Sequence, residues 1–174
     1  MPTPSTATPH TVVRLDIPTG QPFDQFRAAY ERAVPDVDLD RVMAIASSGG
    51  TWAEVEQAAA EDAPHGFMLY ATMDTTPAMK LAGHTISAVE YLMGNHVLAE
   101  RMFRHHPAAM LYAPLRVLLH SDDHDHAVLV IDQPSTVFSS LGRPEIDAVA
   151  NDLDRKLAAL LRNLHVEVPK SLAG

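Results

Sequence analysis

A chain of 174 residues, with 47% apolar and 20% charged residues, has the size and composition of one globular domain. It has no cysteine, which excludes disulfides, thiolate catalysis, iron–sulfur clusters and cysteine zinc sites and is compatible with a cytoplasmic location. The net charge of −9, with 13 scattered basic residues, argues against nucleic acid as a partner. No apolar run approaches the ~20 residues of a membrane span, so no membrane association is expected.

The sequence predicts one α+β domain over residues 10–166, without a repeat or an internal linker. Residues 1–9 are rich in proline and threonine and lack charge, which is typical of a disordered lead-in. Residues 36–65 are interpreted as a helical insert, and residues 167–174 as a tail.

The first half of the chain combines strand and helix patterns. Apolar and polar residues alternate from His10 to Ile17, which predicts a strand, and Pro18, Gly20 and Pro22 are expected to end it. Helical spacing and a capping box at Thr51 predict helices. These helices are expected over Phe23–Ala33, Leu39–Ala46 and Thr51–Asp62, and a strand is expected over Gly66–Asp74.

The second half continues with strands and two longer helices. Asn95 is placed to cap a helix, and the apolar positions from Ile146 to Leu164 share one helical face. The predicted strands are Thr85–Met93, Leu115–His120 and Ala127–Asp132, and the predicted helices are His96–His106 and Glu145–Leu164. Pro77–Gly83 is interpreted as a loop or short helical turn, and Ser135–Pro144 as a connector.

The order β-α-(α-α)-β-β-α-β-β-α indicates the fold class. Strands that follow one another with short turns favour an antiparallel sheet, and the long helices need a face of that sheet to cover. We therefore predict an α+β two-layer sandwich with a mainly antiparallel sheet of four to five strands.

Three segments carry a family resemblance: EYLMGNHVLAERMFRHHPAAMLYAPLRVLLH, VLVIDQPSTVF and EIDAVANDLDRKLAALL. They resemble the bacterial family called domain of unknown function 302, most clearly over Leu92–Leu164. The resemblance implies a β-α-β4-α sandwich similar to half of the TATA-binding protein, assembled as a homodimer, and it implies no substrate. Many members carry Cys-Asn-Pro where this chain has Gly94-Asn95-His96, so a role of that cysteine does not transfer.

His84, Glu90 and His96 are the candidate catalytic residues. Glu90 alternates with apolar residues inside a predicted strand, so it must be paired, exposed or functional. His84 and His96 flank that strand and are candidate metal ligands. A strand of that length spans about 30 Å, so a shared ion needs loop curvature or a dimer partner. Ordinary polar roles for all three residues stay open.

Two further groups are candidates for ligand contacts. Arg104, Tyr112 and Arg116 are predicted to bind an anionic ligand, because arginine gives bidentate contacts to carboxylate or phosphate. Solvated surface positions are the alternative. Methionines cluster mid-chain and, with His84 or His96 as an axial ligand, are compatible with haem, although methionine also simply fills cores.

The functional expectation is a cytoplasmic protein that binds a small molecule in a partly apolar pocket lined by histidine and arginine. One alternative is an enzyme that depends on haem or a divalent metal bound by His84 or His96. Another is a non-catalytic, dimeric interaction module. The sequence leaves open whether any reaction is catalysed and which ligand is bound.

Overall fold

The computed structural model describes residues 5–172. One layer of the structure is a five-stranded antiparallel sheet. The strands are β1 (Arg14–Pro22), β2 (Met68–Asp74), β3 (Ala88–Gly94), β4 (Leu115–Ser121) and β5 (His126–Asp132). They lie in the order β1-β5-β4-β3-β2, and each neighbouring pair is antiparallel.

Helices form the second layer. They are α1 (Phe23–Ala33), α2 (Leu39–Ser47), α3 (Trp52–Asp62), α4 (Thr76–Leu81), α5 (His96–Phe103), α6 (Pro134–Phe138) and α7 (Pro144–Asn163). Short 3-10 turns cover Pro107–Leu111, Ser139–Leu141 and Lys170–Leu172. The apolar faces of α1 and α7 are buried in the main core, which confirms the predicted α+β two-layer sandwich.

Alternation along the central strands decides which side chains face the helices. Val89, Tyr91 and Met93 of β3 are buried, at 0%, 0% and 1% exposure. The residues between them point to the other face of the sheet, which we call the open face. Leu92 is half-buried there and Arg116 of β4 is exposed. The sheet therefore has one apolar, covered face and one mixed, accessible face, as antiparallel sheets commonly do.

Strand β1 ends later than the sequence predicts. The strand runs through Pro18 and Gly20 to Pro22, with a register shift against β5 between the two prolines. Prolines are tolerated here because β1 is an edge strand, where an amide can face solvent instead of a neighbouring strand. Gly20, with φ of +68°, accommodates the irregularity.

Three other expectations change at the element ends. The segment predicted as a connector over Ser135–Pro144 contains α6, and α5 ends at Phe103, before the proline expected to close it. Leu172, expected in a tail, is 3% exposed and belongs to the core. Of the expected lead-in and tail, residues 1–4 and 173–174 lie outside the described residues.

The two helices predicted within residues 36–65 are present as α2 and α3, and α2 is peripheral. The capping box at Thr51 is present at the start of α3, while α2 has no buried residue. Arg41 of α2 forms ion pairs with Glu61 and Asp62 of α3, at 2.6 and 3.3 Å. Within residues 5–172, no helix is both long and apolar enough to cross a membrane.

A buried carboxylate joins α6 to α7. Asp154 of α7 is 8% exposed and accepts hydrogen bonds from the Ser135 amide and hydroxyl, at 3.0 and 2.6 Å. Gln133 donates a third bond through Nε2, at 2.8 Å. This network fixes the start of α6 on α7, and α6 forms part of the cavity described below.

We predict that Asp154→Ala lowers the free energy of unfolding by about 2–4 kcal/mol, because it leaves three donors without their acceptor. Urea unfolding measures the change. Asp152→Ala is the matched control on the same helix: this half-buried carboxylate pairs only with the exposed Arg101 and Arg155, and its loss is expected to cost less than about 1 kcal/mol. Equal effects of the two variants would contradict the structural role of Asp154.

Candidate functional site

The turn between β3 and α5 places His96. Asn95 caps α5, since its side-chain oxygen accepts from the amides of Val97 and Leu98, at 2.9 and 3.4 Å. Its amide nitrogen donates to the carbonyl of Gly66, at 3.1 Å, and so ties the turn to the segment before β2. His96 is consequently the first residue of α5, held close to the end of the sheet.

His96 is paired with Tyr70 of β2. The Tyr70 hydroxyl lies 2.8 Å from His96 Nδ1, and the two rings meet nearly edge-on, at 85°. The other ring nitrogen, Nε2, is buried and has no hydrogen-bond partner among the described residues. A buried polar atom without a partner costs free energy, so it marks a position that packing alone does not explain.

Burial makes the neutral forms of both partners more favourable. Removal from water lowers the pKa of His96, and the carboxylate of Asp62 opposes this only in part. Burial raises the pKa of Tyr70 to about 12, against the hydrogen bond to His96. In the tautomer that carries the imidazole proton on Nε2, the Tyr70 hydroxyl donates to Nδ1.

An apolar cavity of about 200 Å³ lies beside this pair. It occupies the space between the end of the sheet and helices α5, α6 and α7. Its wall includes Tyr70, His96, Leu98, Met102, Phe138 and Leu153. The sulfur and aromatic groups of Met102 and Phe138 are almost fully buried, at 1% and 0% exposure. The wall therefore suits an apolar group better than water.

Gly94 allows close packing at one end of the cavity. A β-carbon at this position would lie 3.3 Å from Pro114 Cβ and 3.5 Å from Tyr70 Cε2. The first distance is tighter than ordinary van der Waals contact. Glycine at position 94 thus lets Tyr70 and Pro114 pack closely against the end of β3.

The structure separates the residues predicted to form one catalytic site. His84 is exposed before β3, whereas His96 follows β3 at its other end. Glu90 lies on the open face, where it pairs with Arg116 at 3.5 Å, and neither residue lines the apolar cavity. Of the three catalytic candidates, only His96 is in the cavity wall.

The predicted ligand-binding residues are also divided. Arg104 is exposed directly after α5 and bonds Glu100 one turn earlier, with Nε 3.1 Å from the carboxylate. Tyr112 and Arg116 line a second space of about 500 Å³, which we call the cleft. Tyr112 packs edge-on against Phe138, at 5.8 Å between ring centroids. Two of the three predicted residues therefore meet at one site, and Arg104 lies elsewhere.

The structure does not bring His84 and His96, the candidate ligands for a metal or haem, together at one site. In the described part of the chain, no group of three or more histidine, aspartate or glutamate side chains is arranged to hold a metal ion. The predicted methionine cluster is dispersed: Met102 lines the cavity, whereas Met73 and Met79 are exposed at 58% and 42%. The cavity of about 200 Å³ is smaller than the ~300–1,000 Å³ typical of sites for drug-sized ligands. A porphyrin is at least as large as such ligands, so this cavity is too small to hold haem.

Several wall residues were not predicted from the sequence. Tyr70 precedes His96 by 26 positions, and only the pairing of β2 with β3 brings them together. Phe138 lies in the segment that was interpreted as a connector, and Leu153 lies in the predicted last helix. Aromatic character in a strand was the one available signal for Tyr70, and it does not indicate a partner.

Comparison with known proteins identifies the class and then the family. The antiparallel α+β sandwich is shared with a crystal structure described as the uncharacterized conserved protein DUF302 from Bacillus stearothermophilus. That similarity has a TM-score of 0.59 and 14% identity, and it covers 88% of this chain and 97% of the other. Residues 43–164 match the family described as Domain of unknown function DUF302, and the chain belongs to this family. No curated protein matches the chain.

We predict that the titration of His96 makes stability depend on pH. Because burial lowers its pKa in the folded chain, the unfolded chain takes up the proton at higher pH. The free energy of unfolding should therefore fall as the pH drops below the ordinary histidine value of about 6.5. The test compares urea unfolding of the wild type and His96→Gln from about pH 8 to about pH 5, a range that brackets this value.

The wild type is expected to lose stability relative to His96→Gln over the acidic part of this range. Glutamine retains a polar partner for Tyr70 but does not titrate, so other titrating groups cancel in the difference. A difference between the two proteins that stays constant with pH would contradict the lowered pKa of His96.

Proposed function

We propose that this protein binds a small, mainly apolar molecule in the cavity beside His96. The observation that carries the proposal is the cavity itself, about 200 Å³ in volume and walled by apolar side chains at the end of the sheet. An engineered apolar cavity of about 150 Å³ stays dry and binds benzene, so this volume corresponds to a single ring or a short alkyl group.

The wall of the cavity supports this choice of ligand. Leu98, Met102 and Leu153 offer alkyl and thioether contacts, and Phe138 offers an aromatic face. Methionine adapts to ligands of different shape because its side chain is unbranched and polarizable. His96, kept neutral by burial, adds a polarizable ring without a fixed charge. A charged ligand group would find no counter-charge in this wall.

We predict that Ala99→Leu weakens binding of a small aromatic probe. Ala99 lines the cavity from α5, and the added carbons occupy the space that the ligand needs. Indole, titrated calorimetrically into the wild-type chain, is expected to bind with one saturable site. For the variant, affinity should fall about fivefold or more, since a shape mismatch of this kind costs about 1–3 kcal/mol.

The matched control is Ala53→Leu. It makes the same chemical change on an exposed position of α3, outside the cavity, and should bind indole like the wild type. Thermal unfolding of both variants checks that each is folded. Indole that fails to saturate on the folded wild type, or binds equally well to Ala99→Leu, would contradict the proposed site.

We further propose that the chain forms a homodimer through the open face. The centre of this face carries Leu118 and Val130, which are half-buried and paired across β4 and β5. Around them lie Glu90, Asp16 and Arg14, so the face offers both charge signs and can complement a second copy of itself. The compartment we propose is the cytoplasm, with which a cysteine-free chain is compatible.

The size of the open face supports a weak dimer. Five strands at ~4.8 Å spacing and about 20 Å in length present on the order of 500 Å² per copy. Stable interfaces bury about 800 Å² per partner, so the expected assembly is concentration-dependent.

We predict that Leu118→Asp makes the protein monomeric, because it buries a charge at the centre of the proposed interface. Light scattering during gel filtration, repeated over a range of concentrations, measures the mass. The wild type should move from monomer to dimer as concentration rises, and Leu81→Asp, which changes a leucine of α4 that is 93% exposed, should behave like the wild type. A wild type that remains monomeric at every concentration would refute this assembly.

A further inference from the structure

The cleft adjoins the apolar cavity. Both spaces are lined by Met110, Ala113, Pro114 and Leu115, which therefore form a common wall. The cavity lies on the helix side of this wall, and the cleft lies on the side of the open face. Met110 is 45% exposed, so the mouth of both spaces is accessible at this residue. The two spaces are therefore adjacent along this wall.

The floor of the cleft carries two opposite charges. Arg116 is the second residue of β4 and Asp132 ends β5, each one position beyond the paired residues Val117 and Ile131. Neighbours in adjacent strands on one face have β-carbons about 5 Å apart. In the described structure these two side chains nevertheless form no ion pair with each other, and Asp132 makes no side-chain hydrogen bond.

Both charged groups are available to a ligand. The Arg116 side chain is 76% exposed, and its one ion pair within residues 5–172 is the 3.5 Å contact of Nε with Glu90. The two terminal nitrogens of the guanidinium are therefore free to hold a carboxylate. Asp132 is exposed beside them and can accept from an ammonium group. Arg14, the register partner of Asp132 on β1, pairs with Asp16 at 2.9 Å.

The remaining wall of the cleft is apolar or aromatic. Tyr112 is half-buried there, with its ring held against Phe138, and an aromatic ring attracts an ammonium group. Leu92, Leu111 and Val137 complete the surface. The arrangement is complementary to a compact dipolar group whose positive and negative charges lie close together.

We infer that the cleft is the head-group site for the ligand of the apolar cavity and that the ligand is an apolar α-amino acid. Its carboxylate binds Arg116, its ammonium group binds Asp132 beside Tyr112, and its side chain enters the cavity. This inference rests on the proposed function, since it assigns the apolar part of the ligand to the same cavity.

Calorimetric titration of the full chain with four probes tests the inference. L-phenylalanine carries both charges and a ring, phenethylamine lacks the carboxylate, 3-phenylpropionate lacks the ammonium group, and indole reports on the cavity alone. Phenylalanine is expected to bind at least about tenfold more tightly than either singly charged analogue, because a charge-assisted hydrogen bond contributes ~1.5–3 kcal/mol.

Two variants locate the head-group contacts. Arg116→Gln and Asp132→Asn should each weaken phenylalanine binding about tenfold or more and leave indole binding unchanged. The control variants Arg155→Gln and Asp123→Asn make the same changes on exposed residues outside the cleft and should bind phenylalanine normally.

The outcomes separate the two claims. Saturable indole binding without phenylalanine binding, or phenylalanine binding that survives both cleft variants, overturns the amino acid assignment and leaves the cavity as proposed. Failure of indole and phenylalanine alike overturns both. Equal affinity for phenylalanine and phenethylamine overturns the role of Arg116, and with it the inference.

Discussion

Burial of one face of the sheet beneath α1 and α7 is the constraint on which the other features depend. Tyr30 of α1 packs on Tyr91 of β3, at 5.0 Å between ring centroids, and its hydroxyl contacts Met93 Sδ at 3.3 Å. Because successive residues of a strand point to opposite faces, this contact also fixes where Glu90 and Leu92 point. A slip of one residue would exchange the two faces, so the core determines the chemistry of both.

The cavity follows from how the covered layer ends. The sheet stops at Gly94, and α5 starts two residues later, which leaves a space that α6 and α7 enclose but do not fill. Small residues at this end, Gly94, Ala99 and Ala113, keep that space open. The cap made by Asn95 sets the direction of α5 and so puts His96 in the wall, next to Tyr70.

The same alternation places polar chemistry on the opposite side. Arg116 and Asp132 cannot reach the covered face, yet they lie at the end of their strands nearest the cavity. The apolar cavity and the charged cleft are thereby separated by a single stretch of backbone, Ala113 to Leu115. Such separation is useful for a ligand that has an apolar end and a charged end, because each part keeps a suitable environment.

Local patterns predicted much of the fold. The bounds of α1 and the cap of α5 agree with the sequence because helical spacing and capping act over a few residues. The end of β1 was wrong, since the tolerance of Pro18 depends on an edge position that the sequence does not encode locally. His96 was predicted as a site residue, but its pairing with Tyr70 arises from strand pairing at a distance.

The candidate site was less predictable for a related reason. Glu90 and His96 were predicted as candidates for one catalytic site because they are close in sequence. The alternation of β3 instead puts Glu90 on the open face. Arg116 and Tyr112, which are four residues apart, line the same cleft on either side of the start of β4, and their predicted role in ligand binding stays a prediction. Cavity walls are assembled from distant segments, and no local pattern reports their shape.

The most direct test of the central claim is a methyl NMR titration of the methionine residues with indole. Met102 and Met110 line the cavity, while Met43 and Met73 are exposed elsewhere, at 66% and 58%. We predict saturable shifts of the Met102 and Met110 methyl signals and none for Met43 and Met73. Shifts that are absent at Met102, or that grow linearly at the exposed methionines alone, would contradict a ligand cavity beside His96.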